Sequence, residues 1–301
     1  MKKSAIALLF LLTLPAVSAL AETPLERGTY LMRGIVACGN CHTAPGGPMA
    51  KHELAGGFNM KEGPIDAMTP NLTPHRDTGI GNWTDAQLMI AIRDGKRPDG
   101  SLIGPPMPYD MYRGLSDTDT KAIIAYLRNL KPVENATRKS VYKMPLPPAY
   151  GPPVGSVPDV PRTDKTAYGA YLAGPLGHCM ECHTPMTKPP MRDYKNMMGA
   201  GGFTFHGPWG ESVAANITPD KETGIGNWTD AEIKAAITKG VRPDGTKLRP
   251  PMAYAYYKNI SNEDLDAIVA YLRSLKPYAT TSGDGITTTK GQPNRTTESR
   301  T

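Results

Sequence analysis

Apolar positions along this chain recur at helical spacing, and the pattern occurs twice. Leu88, Ala91 and Ile92 follow Thr84-Asp85-Ala86-Gln87, and Ile233 and Ile237 follow Thr229-Asp230-Ala231-Glu232. Both tetrapeptides read as capping boxes, in which threonine caps a backbone N–H and the third residue after it reaches back. Gly95 and Gly240 are natural stops for these helices. A second helix opens at Ser116 or Ser261 and carries Ile123, Ala125, Tyr126, Leu127 and Leu130, or their counterparts. It ends before Pro132 or Pro277. A third helix is expected on the amino-terminal side of each unit, over residues 25–36 and 166–176. No stretch alternates convincingly between apolar and polar residues, so the pattern predicts an all-α fold.

The doubling is an internal repeat. Residues 71–132 align without a gap on residues 216–277, with more than half of the positions identical. The shared text runs N-[LI]-T-P-x-x-x-T-G-I-G-N-W-T-D-A, R-P-D-G, P-P-M-x-Y and A-Y-L-R-x-L-K-P. A repeat this long, present twice, is a duplicated domain and not a solenoid. The expected organisation is a first domain over 22–132 and a second over 164–278. Residues 133–163 between them are rich in proline (Pro145, Pro147, Pro148, Pro152, Pro153, Pro158, Pro161) and predict an extended, semi-rigid connector. Residues 279–301 have almost no apolar content and predict a disordered tail.

The amino terminus differs from everything else. Lys2 and Lys3 precede an apolar run from Ala5 to Leu14 and an Ala19-Leu20-Ala21 end. That is the layout of a secretory signal peptide over residues 1–21, cleaved near Ala21, and the run is too short to span a bilayer comfortably. No second long apolar segment follows, so a mature chain without a membrane anchor of its own is expected. Losing Lys2 and Lys3 lowers the formal charge from +6 to +4. No basic run is interleaved with aromatic residues, which argues against nucleic acid as a partner.

All four cysteines lie in two pentapeptides, Cys38-Gly39-Asn40-Cys41-His42 and Cys179-Met180-Glu181-Cys182-His183. C-x-x-C-H is the attachment signature of a c-type haem. Two sulfurs three residues apart on one helical turn reach the two vinyl groups of a porphyrin edge, and the next residue places an imidazole under the iron. A zinc site would want four ligands closed tetrahedrally, and a redox dithiol has no need of the trailing histidine. Two covalent haems are expected, with His42 and His183 as proximal ligands. Attachment of bacterial c-type haem outside the cytoplasm agrees with export, and the expected compartment is the periplasm. The two haem motifs are offset by 141 residues and the repeats by 145, so a small length difference lies between each motif and the Asn-x-Thr-Pro turn.

The second iron ligand follows from the repeat. Of the fifteen methionines, only Met107 and Met252 occupy equivalent positions, each in a proline-led loop between two helices. Methionine there gives a high-potential carrier, whereas an open face invites small ligands; a buried gap-filling methionine is the competing reading. His52, His75 and His206 lack a histidine counterpart, and His178 reads as a surface or propionate neighbour. Trp83, Trp228, Tyr109 and Tyr254 are paired as well, and either contact the haem or pack in the core. Asn71 and Asn216 read first as turn formers and second as donors near the sulfur ligand.

Together these motifs resemble the cytochrome c subunits of periplasm-facing alcohol, gluconate and related dehydrogenases, over essentially the whole chain after the signal peptide except connector and tail. The resemblance implies two tandem class I cytochrome c domains. It makes Cys38, Cys41, Cys179 and Cys182 the attachment sites and His42 and His183 the proximal ligands, and it supports Met107 and Met252 as distal ones. Those subunits commonly carry three haem motifs and a carboxy-terminal membrane segment, where this sequence has two motifs and a polar tail. A soluble dihaem relay is therefore expected. It would take electrons from a dehydrogenase or other donor and pass them to a cytochrome or terminal oxidase, with no substrate chemistry of its own. The alternative is a dihaem peroxidase or other haem oxidoreductase with one open distal site, for which the loops at 46–68 and 188–213 supply the asymmetry.

Overall fold

Both internal capping boxes form. Thr84 accepts from the Gln87 backbone N–H and Thr229 from that of Glu232, and each third residue returns a bond to its cap. The computed structural model describes residues 22–188, 191–207 and 209–280. The expected signal peptide, and the expected tail beyond Thr280, lie outside them. The first unit contains α1 (Pro24–Arg33), α2 (Gly39–His42), β1 (Asn59–Glu62), β2 (Ile65–Met68), α3 (Asp85–Arg93), α4 (Tyr109–Tyr112) and α5 (Asp117–Asn129). The connector contributes β3 (Val141–Tyr142). The second unit contains α6 (Lys165–Tyr171), α7 (Cys179–Cys182), β4 (Met186–Lys188), β5 (Met191–Arg192), β6 (Thr204–Gly207) and β7 (Gly210–Val213). It ends with α8 (Asp230–Lys239), α9 (Tyr254–Tyr257) and α10 (Asn262–Ser274).

In each unit the first helix crosses the last at a glycine. A Cβ on Gly28 would lie 2.0 Å from the Ala122 carbonyl oxygen, and one on Gly169 would lie 1.9 Å from that of Ala267. Only glycine lets the backbones approach this closely. Leu31, Ile35, Ile123 and Leu127 bury behind the first crossing, and Leu172, Leu176, Ile268 and Leu272 behind the second. All belong to one apolar core that runs through both units.

The fold is not all-α. Hairpins β1–β2 and β6–β7 stand at equivalent positions of the repeat, with Asn59 opposite Met68 and Thr204 opposite Val213. A third hairpin, β4–β5, belongs to the second unit, and β3 pairs with β2. These strands are two to four residues long, and β1 (Asn-Met-Lys-Glu) buries no face. No alternating pattern was needed to form them: main-chain pairing and side chains such as Asn59, bonded to Asp66 and the Ala67 carbonyl, hold them. The repeat's length difference lies here too. The N–H of Gly56 bonds the His42 carbonyl at 2.7 Å, and that of Gly201 bonds the His183 carbonyl at 2.8 Å. The second of these loops is four residues longer, and the added length forms β4–β5.

The connector is tied along the first unit. Asn135 bonds Thr78 and the Ala55 carbonyl, Val154 N–H donates to Asp94 at 2.9 Å, and Val157 N–H donates to Asp117 at 3.1 Å. Buried Arg93 adds an ion pair to Asp117 at 2.6 Å and donates to the Gly155 carbonyl.

The two units are clasped reciprocally. Tyr30 of α1 donates to Asp264 of α10 at 2.7 Å and accepts from the Ser261 N–H at 3.1 Å. Tyr171 of α6 donates to Asp119 of α5 at 2.8 Å and accepts from the Ser116 N–H at 3.1 Å. Symmetry breaks at the neighbouring position. Arg27 forms a buried ion pair with Asp119 at 2.7 Å, whereas its repeat counterpart, Tyr168, forms none. Removing one member of a buried charged pair leaves the other uncompensated. Asp119→Ala is therefore expected to cost about 3–5 kcal/mol in urea unfolding of the holoprotein. Tyr30→Phe, losing both bonds of that hydroxyl, is expected to cost about 1–3 kcal/mol. Negligible losses in both would show that the clasp does not hold the units.

Candidate functional site

Each haem motif is one helical turn. Cys38 caps α2, whose His42 N–H bonds the Cys38 carbonyl at 2.9 Å, and the His183 N–H bonds the Cys179 carbonyl at the same distance. That turn brings two sulfurs and an imidazole onto one side of the chain. The four cysteines form no disulfide, and none is fully buried. Burial around the sulfurs pushes Cys38 up to about 12 and Cys179 up to about 11. A redox dithiol works through a depressed thiolate, so these thiols are poorly suited to that role. His178, Glu181 and Cys182 bring three ligand atoms within 4.8 Å of one another. A structural zinc site needs a fourth.

Both imidazoles are 9% exposed and anchored in the same way. Nδ1 of His42 lies 3.2 Å from the Pro70 carbonyl oxygen, and Nδ1 of His183 lies 2.7 Å from that of Ala215. A carbonyl only accepts, so Nδ1 carries the proton and Nε2 keeps its lone pair for a metal. Burial pushes both imidazoles below the usual histidine range, opposed by the carbonyl bond and, at His183, reinforced by Arg192. Neutral imidazole is the form that ligates.

The anchoring carbonyls are held by the Asn-x-Thr-Pro turns. Asn71 accepts from the Thr73 N–H and hydroxyl, at 2.9 and 2.8 Å, and donates to Thr78 and to the Val133 carbonyl. Asn216 repeats the set with Thr218, Thr223 and the Tyr278 carbonyl. These asparagines form turns that fix the residue before them, and their side-chain bonds go to threonines and main chain. Pro70 and Ala215 were missed from sequence because a main-chain acceptor carries no residue signature. Their one signal was position, immediately before a repeated asparagine.

Met107 and Met252 sit half-buried in the loops before α4 and α9, on the same core as Cys38, Cys179, Trp83 and Trp228. In both loops the N–H two residues on returns to the methionine carbonyl at 3.0 Å. Tyr109 and Tyr254 follow, each hydroxyl sealed from solvent without a partner, as is Nε of Arg242. Burial pushes both tyrosines well above the usual phenol range, opposed by Arg97 at Tyr109 and by Arg242 at Tyr254. A sealed donor without an acceptor calls for one, and haem propionates are carboxylates. Free Nε2 atoms, paired thiols and orphaned donors therefore fit a haem in each unit. His178 is less exposed than a surface residue: its ring packs edge-on to Tyr112 of the other unit at 5.9 Å, and burial pushes it down to about 4.

Comparison with known proteins gives the same picture. The sequence matches the family described as cytochrome c over residues 26–131 and 167–276. It is 31% identical over 291 residues to a fructose dehydrogenase cytochrome subunit of Gluconobacter japonicus, covering 91% of this chain and 57% of that protein. It is 30% identical over 300 residues to the cytochrome c subunit of a quinone alcohol dehydrogenase of Gluconacetobacter polyoxogenes, covering 90% and 61%. A diheme cytochrome c-type protein of Cereibacter sphaeroides is 32% identical over 249 residues, covering 78% and 81%. The chain thus spans about three-fifths of the length of the dehydrogenase subunits.

The asparagine turns are testable apart from the haem. Asn216→Ala removes several buried bonds and is expected to cost about 2–4 kcal/mol, at roughly 1 kcal/mol each, in urea unfolding. A loss under about 0.5 kcal/mol would show that the turn holds without it.

Proposed function

The chain belongs to the cytochrome c family and carries two haem c groups, and on that premise we propose that it relays electrons outside the cytoplasm from a dehydrogenase to a downstream respiratory acceptor. The observation that carries this reading is that the two sites are alike: the same thiol pair, the same carbonyl-anchored imidazole and the same Pro-Pro-Met loop. When bound, haem supplies a one-electron iron couple. The residues do the rest. Cys38, Cys41, Cys179 and Cys182 would fix the two groups covalently, and His42 and His183 would hold the irons through Nε2. The carbonyl bond at Nδ1 raises the basicity of each imidazole and fixes its rotation. Met107 and Met252 would close the distal faces, and a thioether there favours the reduced state. Tyr109 and Tyr254, beside Arg97 and Arg242, would meet the propionates.

A dehydrogenase as donor is supported by relatives that are cytochrome subunits of fructose, alcohol and gluconate dehydrogenases. Export is supported by the amino-terminal sequence, and the periplasm is the compartment it implies. No helix among the described residues is long and apolar enough to cross a membrane.

The ligand set is tested in the holoprotein. Met107→Ala and Met252→Ala are each expected to turn one haem high-spin and able to bind carbon monoxide, with both covalent attachments intact. Unchanged low-spin spectra in both would overturn the axial assignment. The relay reading also expects no peroxide-dependent oxidation of a reduced partner by the pure protein. Such turnover would overturn it in favour of an enzyme.

A further inference from the structure

The two Pro-Pro-Met loops are alike in sequence but held by different neighbours. The Met107 loop is covered from its own side by the connector. Tyr150 donates to the Ile103 carbonyl at 2.9 Å and stacks on Tyr109 with ring centroids 4.5 Å apart. The Tyr142 ring fills the space beside Gly104, where a Cβ would lie 2.3 Å from the ring. In the second unit Arg249 stands where Gly104 does, so the space that the Tyr142 ring fills beside the first loop has no counterpart there.

The Met252 loop is met instead by the first haem motif. Asn40, between Cys38 and Cys41, donates from Nδ2 to the carbonyl of Pro251 at 3.2 Å. Gly39, beside it, is buried under Tyr256 of α9, and a Cβ there would lie 2.1 Å from the tyrosine hydroxyl oxygen. A further tie runs from Asn259 to the Arg33 carbonyl at 2.8 Å. The reciprocal contact has different chemistry. Met180 and Glu181 stand where Gly39 and Asn40 do, so the second turn offers neither the small residue nor the amide of the first.

We propose that Gly39 and Asn40 of the first haem-attachment turn are positioning residues for the distal ligand of the second haem, acting across the unit interface through Pro251 and Tyr256. The proposal rests on Met252 being that ligand. The first attachment turn is then part of the wall of the second site, whereas the first site's methionine loop is braced by the connector.

The experiment uses proton NMR of the reduced dihaem protein, in which an iron-bound methionine gives a strongly shifted methyl signal. Met107→Ala and Met252→Ala assign the two signals. Imidazole titration of the oxidised protein then measures how readily each methionine is displaced. Asn40→Ala and Tyr256→Ala are expected to shift the Met252 signal and ease its displacement about 3–10-fold, the range of one hydrogen bond, with Met107 unmoved. Tyr150→Ala is expected to act on Met107 alone. If Met252→Ala removes no shifted signal, the ligand assignment fails. If it removes one, and Asn40→Ala leaves that signal and its displacement unchanged or moves Met107 equally, the positioning role fails. Asn40 is exposed, so its truncation decides the matter even where Tyr256→Ala does not fold.

Discussion

Each site depends on a buried imidazole whose Nδ1 faces a main-chain carbonyl. An imidazole that is to ligate a metal in an apolar interior must be neutral, of one tautomer and held in rotation. Burial keeps it neutral, and a single hydrogen bond to Pro70 or Ala215 meets the other two conditions. Much of each unit is arranged to keep that carbonyl in place. The asparagine turn pins it, the threonines saturate the asparagine, and the chain after the last helix returns to accept the remaining amide proton at Val133 or Tyr278. The end of each unit is thereby tied to the turn that carries its C-x-x-C-H motif.

Features that rest on local side-chain chemistry were legible in the sequence. Capping boxes at Thr84 and Thr229, helix stops at Gly95 and Gly240 and the two attachment pentapeptides each announce themselves within a few residues. Features carried by main chain or by distant partners were not. The hairpins at 59–68 and 204–213 expose too much of both faces to leave a period of two, so an all-helical reading followed from real but incomplete information. Tyr30 and Tyr171 looked like ordinary helix residues, because their partners lie 234 and 52 positions away. His178, read from its position before Cys179 as a surface or propionate neighbour, also meets Tyr112 of the other unit, a partner its local sequence does not announce.

The near-identity of the repeats conceals a division of surroundings. The first site is enclosed by the chain that follows it, whereas the second faces the attachment turn of the first. Two similar ligand sets can thus differ in how firmly they are held, because burial, hydrogen bonding and exposure all tune a haem.

The reciprocal clasp has a bearing on how such a chain can arise. Tyr30 meets Asp264 as Tyr171 meets Asp119, so each unit carries both the tyrosine and the aspartate halves of the contact. A surface that contains both halves is self-complementary, the defining property of a two-fold interface between identical subunits. One unit alone therefore carries the groups needed to pair with a second copy of itself. Joining two such units needs only a tether, and Arg27, where the second unit has Tyr168, makes the joined halves distinguishable.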